Sequence, residues 1–423
     1  MHIQTDRALI PARAPSVRYL HVVISAPAAP PRAPHAAARP PAAVALVLDR
    51  SGSMDGSKFA MARTAVEHAV RLLAPTDELA VVCYDDRVDT VLARTPASAE
   101  AKRLALERLA RVDARGSTNL EGGWTRGAEE LQPATADVRR VLLLTDGLAN
   151  QGVVDPEDLA ATAARLRAQG ITTSTFGVGA DFDEQLLARL AAEGGGHFYF
   201  IEQPRQIPDL LASELGETLD VVAREAVFEI TAGGGVDLGV LNRADAELAP
   251  GVLRVRLGDL VADQEVTLVV AVGVREVPAA GESVSVRCRL SDRDQALVPL
   301  PLVVDWRVVE PAEHDAQPVN EQVLVAVARH LAGQAKAMAL VANRQGHYDD
   351  AQRILHDMAA TLRRLAPGNA EVARLAAGLE GERVLFQSAM SPLEMKRRHF
   401  ASHVMAESRE PEGKARRRHE RRI

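Results

Sequence analysis

Between residues 42 and 220, short apolar runs alternate with stretches in which apolar residues recur every three or four positions. Uniformly apolar runs of this length predict strands that are buried on both faces. They are residues 45–48, 79–84, 141–144 and 171–178. Helical spacing predicts helices at 57–73, 118–131, 156–170 and 207–219. Such alternation favours a mostly parallel sheet that is covered by helices on both faces.

The spacing of apolar residues changes after residue 220. Five short runs with strand character are separated by turn signals such as Pro250-Gly251, and they predict an antiparallel β-sandwich. The runs are residues 226–231, 252–257, 266–274, 284–290 and 297–309. A further strand is predicted at 17–25, before a connector rich in proline and alanine. Because a single strand cannot bury itself, we expect it to join the sandwich, with the α/β domain inserted between.

The pattern is helical again from residue 321. The stretch 345–355 resembles the turn and second helix of a tetratricopeptide repeat. Because only one copy is visible and such repeats need several stacked units, we expect a single helical hairpin. A third helix at 370–388 would complete a small bundle. Residues 396–423 carry ten Lys or Arg against four Glu, and we expect a solvated, disordered basic tail. Contact of this tail with an anionic surface is the alternative. The predicted domains are 1–41, 42–220, 221–312, 313–392 and 393–423.

Composition narrows the class of protein. The chain has 423 residues and a net charge of −7, so several domains are expected and nucleic-acid binding is not. Cys83 and Cys288 fall in different predicted domains, and we interpret both as free buried thiols, which favours a reducing compartment. The first eleven residues lack the apolar core of a signal peptide, and no apolar run is long enough to span a membrane. We therefore expect a cytoplasmic protein, and the arginine- and alanine-rich composition is typical of a bacterium with a GC-rich genome.

Oxygen-bearing side chains lie where two of the buried strands end. Asp49, Ser51 and Ser53 follow the first strand, and Asp146 follows the run at 141–144. Thr118 stands on a glycine-marked loop before a predicted helix. Ligands bind at the carboxyl edge of such sheets, and oxygen-only donors suit a hard cation, Mg²⁺ first, with Mn²⁺ or Ca²⁺ as alternatives.

This order, Asp-x-Ser-x-Ser, then a loop threonine, then Thr-Asp-Gly, resembles the metal-ion-dependent adhesion site (MIDAS) of von Willebrand factor A (VWA) domains. The resemblance covers about residues 42–220, including the strand and loop at 171–184 and the strand at 193–200. It is closest to the branch of inter-alpha-trypsin inhibitor heavy chains, calcium-activated chloride channel-like proteins and their bacterial relatives. The alternative is a purely structural role, in which these residues only form turns at the ends of strands.

The resemblance implies a fold and a function. The implied fold is an α/β Rossmann-like VWA domain with a mostly parallel central sheet flanked by helices, joined here to the sandwich and the C-terminal helical region. In the family, the serines and the threonine bind the metal directly and the aspartates act largely through water. An Asp or Glu from a protein partner then fills the open position. We thus expect a cytoplasmic, non-catalytic protein-binding module.

Other functions are compatible with the same sequence. The alternatives are a metal-assisted hydrolase, an accessory subunit of an AAA+ ATPase (the chain itself has no Walker A motif), and a structural protein with a vestigial site. His399 and His403 have the spacing of zinc-binding helices but no following Glu, and we interpret them as surface residues. Gly177-x-Gly179 is too short for a nucleotide loop. Asp85, Asp86 and Asp181 are expected near the metal edge.

Overall fold

The computed structural model describes residues 1–28, 41–146, 149–179, 182–219, 221–242, 245–276, 278–297, 300–406, 409–411 and 413–417. The chain forms two compact units. The sandwich unit consists of Met1–Ala28, Val222–Pro411 and Ala415–Ile423, and the α/β unit of Ala29–Val221 with Glu412–Lys414. The α/β unit is therefore inserted, in sequence, between the N-terminal strands and the rest of the sandwich unit.

The chain begins with three strands of the sandwich unit, which are β1 (His2–Thr5), β2 (Leu9–Pro11) and β3 (Ser16–Ser25). The strands of the α/β unit follow as β4 (Ala42–Asp49), β5 (Glu78–Tyr84), β6 (Val88–Pro96), β7 (Val138–Thr145), β8 (Ile171–Val178) and β9 (Gly195–Ile201). Its helices are α1 (Ser57–Leu72), α2 (Ala99–Leu109), α3 (Leu120–Leu131), α4 (Pro156–Ala168), α5 (Glu184–Glu193) and α6 (Ile207–Leu219).

The sheet of the α/β unit has the order β6-β5-β4-β7-β8-β9. Edge strand β6 pairs with β5 in antiparallel fashion, and the other five strands are parallel. Central strand β4 is buried at every position, which explains its uniformly apolar sequence. The predicted α/β Rossmann-like fold is confirmed. Helices α2 and α5, which the sequence analysis did not predict, complete the covering layers.

The later strands of the sandwich unit are β10 (Val221–Ala232), β11 (Val236–Val240), β12 (Asp245–Ala249), β13 (Val252–Val261), β14 (Glu265–Val274), β15 (Ser283–Ser291) and β16 (Leu302–Val309). They form two sheets with the N-terminal strands, in the orders β1-β3-β14-β11 and β12-β13-β10-β15-β16-β2. One apolar core lies between the sheets and includes Leu20, Phe228 and Trp306. Strand β3 is antiparallel to β14 over ten residue pairs, so the N-terminal segment is an interior strand of its sheet.

Five helices follow the last strand, namely α7 (Pro311–Asp315), α8 (Glu321–Arg344), α9 (Tyr348–Leu365), α10 (Ala370–Glu382) and α11 (Pro392–Ala406). Helices α8, α9 and α10 share an apolar core that includes Ala339, Leu355 and Val372. Val323 and Val327 of α8 pack on Val269 of β14, which joins the helices to the sandwich. Within the described residues, none of the helices has the length and apolar character needed to cross a membrane.

The structure corrects two predictions about the C-terminal stretch. Residues 393–406, expected in a disordered tail, lie in helix α11, which buries Met395 and Val404. His399 and His403, interpreted as surface residues, are buried, with 8% and 2% of their surface exposed. Helix α11 has no clear apolar stripe, so its buried face could not be predicted from the spacing of apolar residues. Arg418, Arg421 and Arg422 of the predicted tail lie outside the described residues.

The two cysteines are free and buried, as predicted. Cys83 lies on β5 and Cys288 on β15, each in a different unit. Burial raises the pKa of both thiols to about 12, so neither is a reactive thiolate at neutral pH.

Candidate metal site

Two neighbouring parallel strands, β4 and β7, deliver the two aspartates to one edge of the sheet. Leu48 is paired with Leu144, so Asp49 stands level with Thr145 and next to Asp146. Thr145 donates a hydrogen bond from Oγ1 to Oδ2 of Asp49 at 2.6 Å. Both aspartates are completely buried. The register of the parallel pair therefore brings the two carboxylates together.

The loop after β4 carries the two serines to the same carboxylates. The backbone N–H of Ser51 donates to Oδ1 of Asp49 at 2.8 Å. The hydroxyls of Ser51 and Ser53 are 3.1 Å apart, and Ser53 donates to Oδ1 of Asp146 at 2.9 Å. A turn of 3₁₀ helix, Gly52–Met54, forms this loop, and its last side chain is fully buried in the core. Four of the five predicted residues thus form one hydrogen-bonded series.

Thr118 reaches this edge through the backbone of its loop. The carbonyl of Gly116 accepts from the N–H of Gly52 at 3.0 Å, which ties the threonine loop to the serine loop. Thr118 itself is buried, and its N–H donates to Oδ1 of Asn150 at 2.8 Å. The N–H of Asn150 donates back to the carbonyl of Thr118 at 3.1 Å. Asn150 is a positioning residue that the sequence analysis missed.

Helix α3 holds the threonine loop close to the sheet because two of its glycines allow a near approach. A Cβ atom on Gly123 would lie 2.2 Å from the ring of Tyr84, and one on Gly127 would lie 2.3 Å from Cγ2 of Val47. The side chain of Asn119 caps the helix by accepting from the N–H of Gly122 at 3.0 Å. The loop that carries Thr118 is therefore fixed at its helical end as well.

Asp85 directly follows β5, at the edge of the sheet where Asp49 ends β4. It is completely buried and accepts from Nε of Arg50 at 3.0 Å and Nε of Arg115 at 2.7 Å. Burial alone would raise the pKa of Asp85, but hydrogen bonds from Arg115, the Arg87 backbone and Arg50 hold this pKa below its ordinary value. Arg115 precedes the threonine loop and Arg50 lies in the serine loop. Asp85 thus joins the two loops at the edge of the sheet where β4 and β5 end.

Asp86 and Asp181 were also expected at this edge, and the structure describes only the first of them. Asp86 is exposed, and its Oδ1 would lie 2.2 Å from a Cβ atom on Gly116, which also has a positive φ of 71°. The positive φ favours glycine at position 116, because other residues rarely adopt this conformation. Asp181 lies outside the described residues.

The charges of the cluster favour a cation. Burial raises the pKa of Asp49 to about 6, with hydrogen bonds from Thr145 and Ser51 opposing the shift and the charge of Asp146 adding to it. Nζ of Lys58 lies 3.4 Å from Oδ2 of Asp146 and 3.1 Å from the carbonyl oxygen of Ser53. Two buried carboxylates that repel each other are stabilised by positive charge.

The donor set also fits a hard divalent ion, because it consists of carboxylate and hydroxyl oxygens. Among the described residues, no three or more His, Cys, Asp and Glu side chains are grouped as a metal site. The hydroxyls of Ser51 and Ser53 lie within this group of oxygens, and Thr118 is tied to it through the backbone of its loop.

Comparison with known proteins agrees with this fold. A profile of the von Willebrand factor type A domain matches residues 43–213. The solved structure of von Willebrand factor type A from Catenulispora acidiphila has a TM-score of 0.64 and 16% identity, covering 92% of this chain and 96% of that chain. Residues 43–213 of this protein are therefore a von Willebrand factor type A domain. Over most of the chain, including the residues outside this domain, the fold is similar to that of the Catenulispora acidiphila protein.

Three relatives illustrate how far the similarity in sequence extends. The uncharacterized protein YfbK of Escherichia coli is 28% identical over 195 residues, which are 45% of this chain and 34% of that protein. The uncharacterized protein sll0103 of Synechocystis sp. is 27% identical over 334 residues, 73% of this chain and 76% of that protein. Inter-alpha-trypsin inhibitor heavy chain H4 of Homo sapiens is 26% identical over 172 residues, 39% of this chain and 18% of that protein. The chain thus spans about a third of the YfbK relative, and the predicted family resemblance is confirmed.

Proposed function

We propose that this protein is a cytoplasmic, non-catalytic module that binds another protein through a divalent cation. The residues that would hold the cation are Asp49, Ser51, Ser53, Thr118 and Asp146. The observation that carries the proposal is the hydrogen-bonded series from Asp49 through the two serines to Asp146 at the carboxyl edge of the sheet. VWA domains are commonly protein-interaction modules, which supports the same function.

The chemistry of the donors determines what such a site recognises. The hydroxyls of Ser51, Ser53 and Thr118 are neutral, so they hold a cation without cancelling its charge. When bound, the cation supplies an open, strongly positive coordination position, with Mg²⁺ expected first and Mn²⁺ or Ca²⁺ as alternatives. A carboxylate of a partner suits this position, since a charged oxygen completes the shell of a hard ion. The partner is therefore expected to present an Asp or Glu side chain.

The loops around the site support recognition because they are held in place beforehand. Asp85 joins the serine loop to the threonine loop through Arg50 and Arg115, and Asn150 holds the backbone of Thr118. A preorganised site loses less conformational entropy when the partner binds.

The first experiment measures Mg²⁺ binding to the wild type and to Asp49→Ala by titration calorimetry. We expect the substitution to abolish binding, while circular dichroism shows that the chain remains folded. Asp137→Ala is the matched control, because Asp137 is exposed and directly precedes β7, at the opposite end of that strand from Asp146. Unchanged Mg²⁺ affinity in a folded Asp49→Ala variant would contradict the site.

The second experiment captures partners from the native cell with Mg²⁺ or with EDTA, and then measures the affinity of a captured protein. Thr118→Ala is expected to lower the affinity for the partner more than the affinity for the metal. The reason is that, in the family, this threonine joins the metal shell when a ligand is engaged. Equal partner affinity of wild type and variant at saturating Mg²⁺ would count against this mechanism. Mg²⁺-dependent turnover of ester or phosphoester probes, lost in Asp49→Ala, would instead favour a hydrolase.

A further inference from the structure

The sandwich unit contains a cavity of about 400 Å³ that is separate from the candidate metal site. Strands β3 and β14 form one wall, and helices α8 and α11 form the others. The segment with Arg409, Pro411 and Arg416 completes the lining. Cavities of a few hundred Å³ have the size of sites for metabolite-sized ligands.

Backbone hydrogen bonds hold the C-terminal segment against this cavity. The N–H of Glu265 donates to the carbonyl of Arg416 at 2.8 Å, and Gln264 forms a β-bridge with Arg417. The N–H of Arg409 donates to the carbonyl of Val404 at 2.9 Å. The residues that line this side of the cavity are thus positioned by secondary-structure contacts with β14 and α11.

The lining combines an apolar body with a group of polar side chains. Its apolar members are Val23, Val325, Ala326, Ala401, Val404 and Pro411. The ionisable members are the imidazoles of His21 and His330, the guanidiniums of Arg329, Arg409 and Arg416, and a single carboxylate from Glu265. Cationic groups therefore outnumber anionic groups on the wall.

Three observations describe the charge on this wall. Arg409 is buried, with 7% of its surface exposed. Arg329 and Arg416 each donate from Nε to a glutamate outside the lining, Glu371 at 2.9 Å and Glu410 at 3.3 Å. Since a guanidinium carries five N–H donors, these ion pairs do not exhaust either arginine. Burial, together with the positive charges of His21 and Arg329, lowers the pKa of His330 to about 4. His330 is therefore neutral at pH 7, and the positive charge of the lining comes from its arginines.

We infer that this cavity binds a small organic anion, namely a carboxylate with an apolar body. The carboxylate would accept charge-assisted hydrogen bonds at the arginine and histidine side, and its apolar part would contact the valines and alanines. An ammonium compound is disfavoured by the same charges. A neutral compound of the same shape would gain the apolar contacts alone.

The test uses the full chain in EDTA, so that a divalent cation cannot contribute. The probes are hexanoate and benzoate, compared with 1-hexanol, benzyl alcohol and hexylamine, and binding is followed by calorimetry and thermal shift. We expect the acids to bind at least about tenfold more tightly than the alcohols, because only the acids form charge-assisted hydrogen bonds. Asp49→Ala is expected to leave this binding unchanged, which separates the cavity from the metal site.

Two substitutions locate the binding. Arg409→Met is expected to remove the preference for acids over alcohols. Ala401→Trp, at an exposed lining position, is expected to block both classes of probe. Arg256→Met is the control, because Arg256 is on the outer surface of the same unit and its loss changes the net charge equally. If Arg409→Met does not fold, Ala401→Trp still tests the location.

Three results would overturn the inference. The first is that none of the probes binds to the wild type. The second is equal affinity for acids and alcohols, which would mean that the cavity does not select an anion. The third is acid binding that persists in Ala401→Trp, which would place it elsewhere on the molecule.

Discussion

Nζ of Lys58 lies 3.4 Å from Oδ2 of Asp146, the buried carboxylate that ends strand β7. Lys58 belongs to the first turn of α1, and its side-chain carbons lie about 3.2 Å from where a Cβ atom on Gly179 would stand. The lysine is therefore held over the carboxylate by its helix and by close packing at a glycine. A divalent cation on the proposed site would share Asp146 with this ammonium group.

From this relationship we predict that Lys58→Met binds Mg²⁺ more tightly than the wild type. Removing a positive charge a few ångströms from a divalent ion favours the ion, and even strong screening leaves an effect of about tenfold or more. Titration calorimetry measures the change. Arg71→Met, which removes the same charge from the exposed end of α1, is the control. Equal Mg²⁺ affinity in wild type and Lys58→Met would refute the prediction.

The second prediction concerns Glu214 of α6, which is completely buried and anchors this helix to three strands. Glu214 accepts from Nη1 of Arg140 at 2.7 Å, Oγ of Ser174 at 2.6 Å and the hydroxyl of Tyr199 at 2.8 Å. Burial alone would raise the pKa of Glu214, but Arg140, His197 and these hydrogen bonds hold it well below its ordinary value. The carboxylate is thus ionised in the folded protein.

Glu214→Ala is expected to lower the free energy of unfolding of the α/β unit by about 3–5 kcal/mol, because the buried Arg140 loses its charge-assisted hydrogen bond to this carboxylate. Denaturant titration followed by circular dichroism measures the loss. Asp209→Ala, at an exposed position on the same helix, is expected to change the free energy of unfolding by less than about 0.5 kcal/mol. A similar small effect for both variants would show that the network does not stabilise the fold.

The third prediction is a pH dependence in the sandwich unit. Burial lowers the pKa of His330 to about 4 in the folded protein, below the ordinary histidine value of about 6.5. The unfolded chain therefore binds the proton first, and stability falls as the pH drops below about 6.5 until about pH 4, by at most ~3 kcal/mol from this residue.

His330→Gln is expected to make the unfolding free energy less dependent on pH between about 6.5 and 4. His347→Gln, at an exposed position on the same unit, is expected to keep the dependence of the wild type. Urea titrations at several pH values give both slopes. Parallel pH profiles for wild type and His330→Gln would contradict the assignment.

The fourth prediction concerns the N-terminal strand. Leu20 of β3 is completely buried in the core between the two sheets, whereas Val17 of the same strand is 46% exposed. Leu20→Ala is expected to destabilise the sandwich unit by about 2–5 kcal/mol, and Val17→Ala by much less. Differential scanning calorimetry should show that Leu20→Ala lowers the melting temperature of the sandwich unit and not that of the α/β unit. A shift in the α/β transition alone would indicate that the strand stabilises the other unit.

Much of the architecture could be predicted from the sequence because each element carries its own local signal. The run ending at Asp49 is apolar on both faces, and the helix after Ser57 has an apolar stripe, so strand and helix follow directly from their spacing. Strand β11, with five residues, and helix α11, whose apolar residues do not form a clear stripe, carry weaker patterns. Their formation depends on neighbours that lie far away in sequence, as the pairing of β11 with β14 illustrates.

The sequence by itself determined which oxygen-bearing side chains lie at the ends of two strands of the α/β unit. These are Asp49, Ser51, Ser53 and Asp146, which stand where buried apolar runs stop. Only the tertiary structure decided that Asn150 holds the threonine loop, that Lys58 approaches Asp146, and that Asp85 pairs with two arginines. It also decided that the C-terminal segment lines a cavity beside β14. The physical reason is that a strand end is specified by local hydrophobic periodicity, whereas a loop contact depends on the register of strands that are distant in sequence.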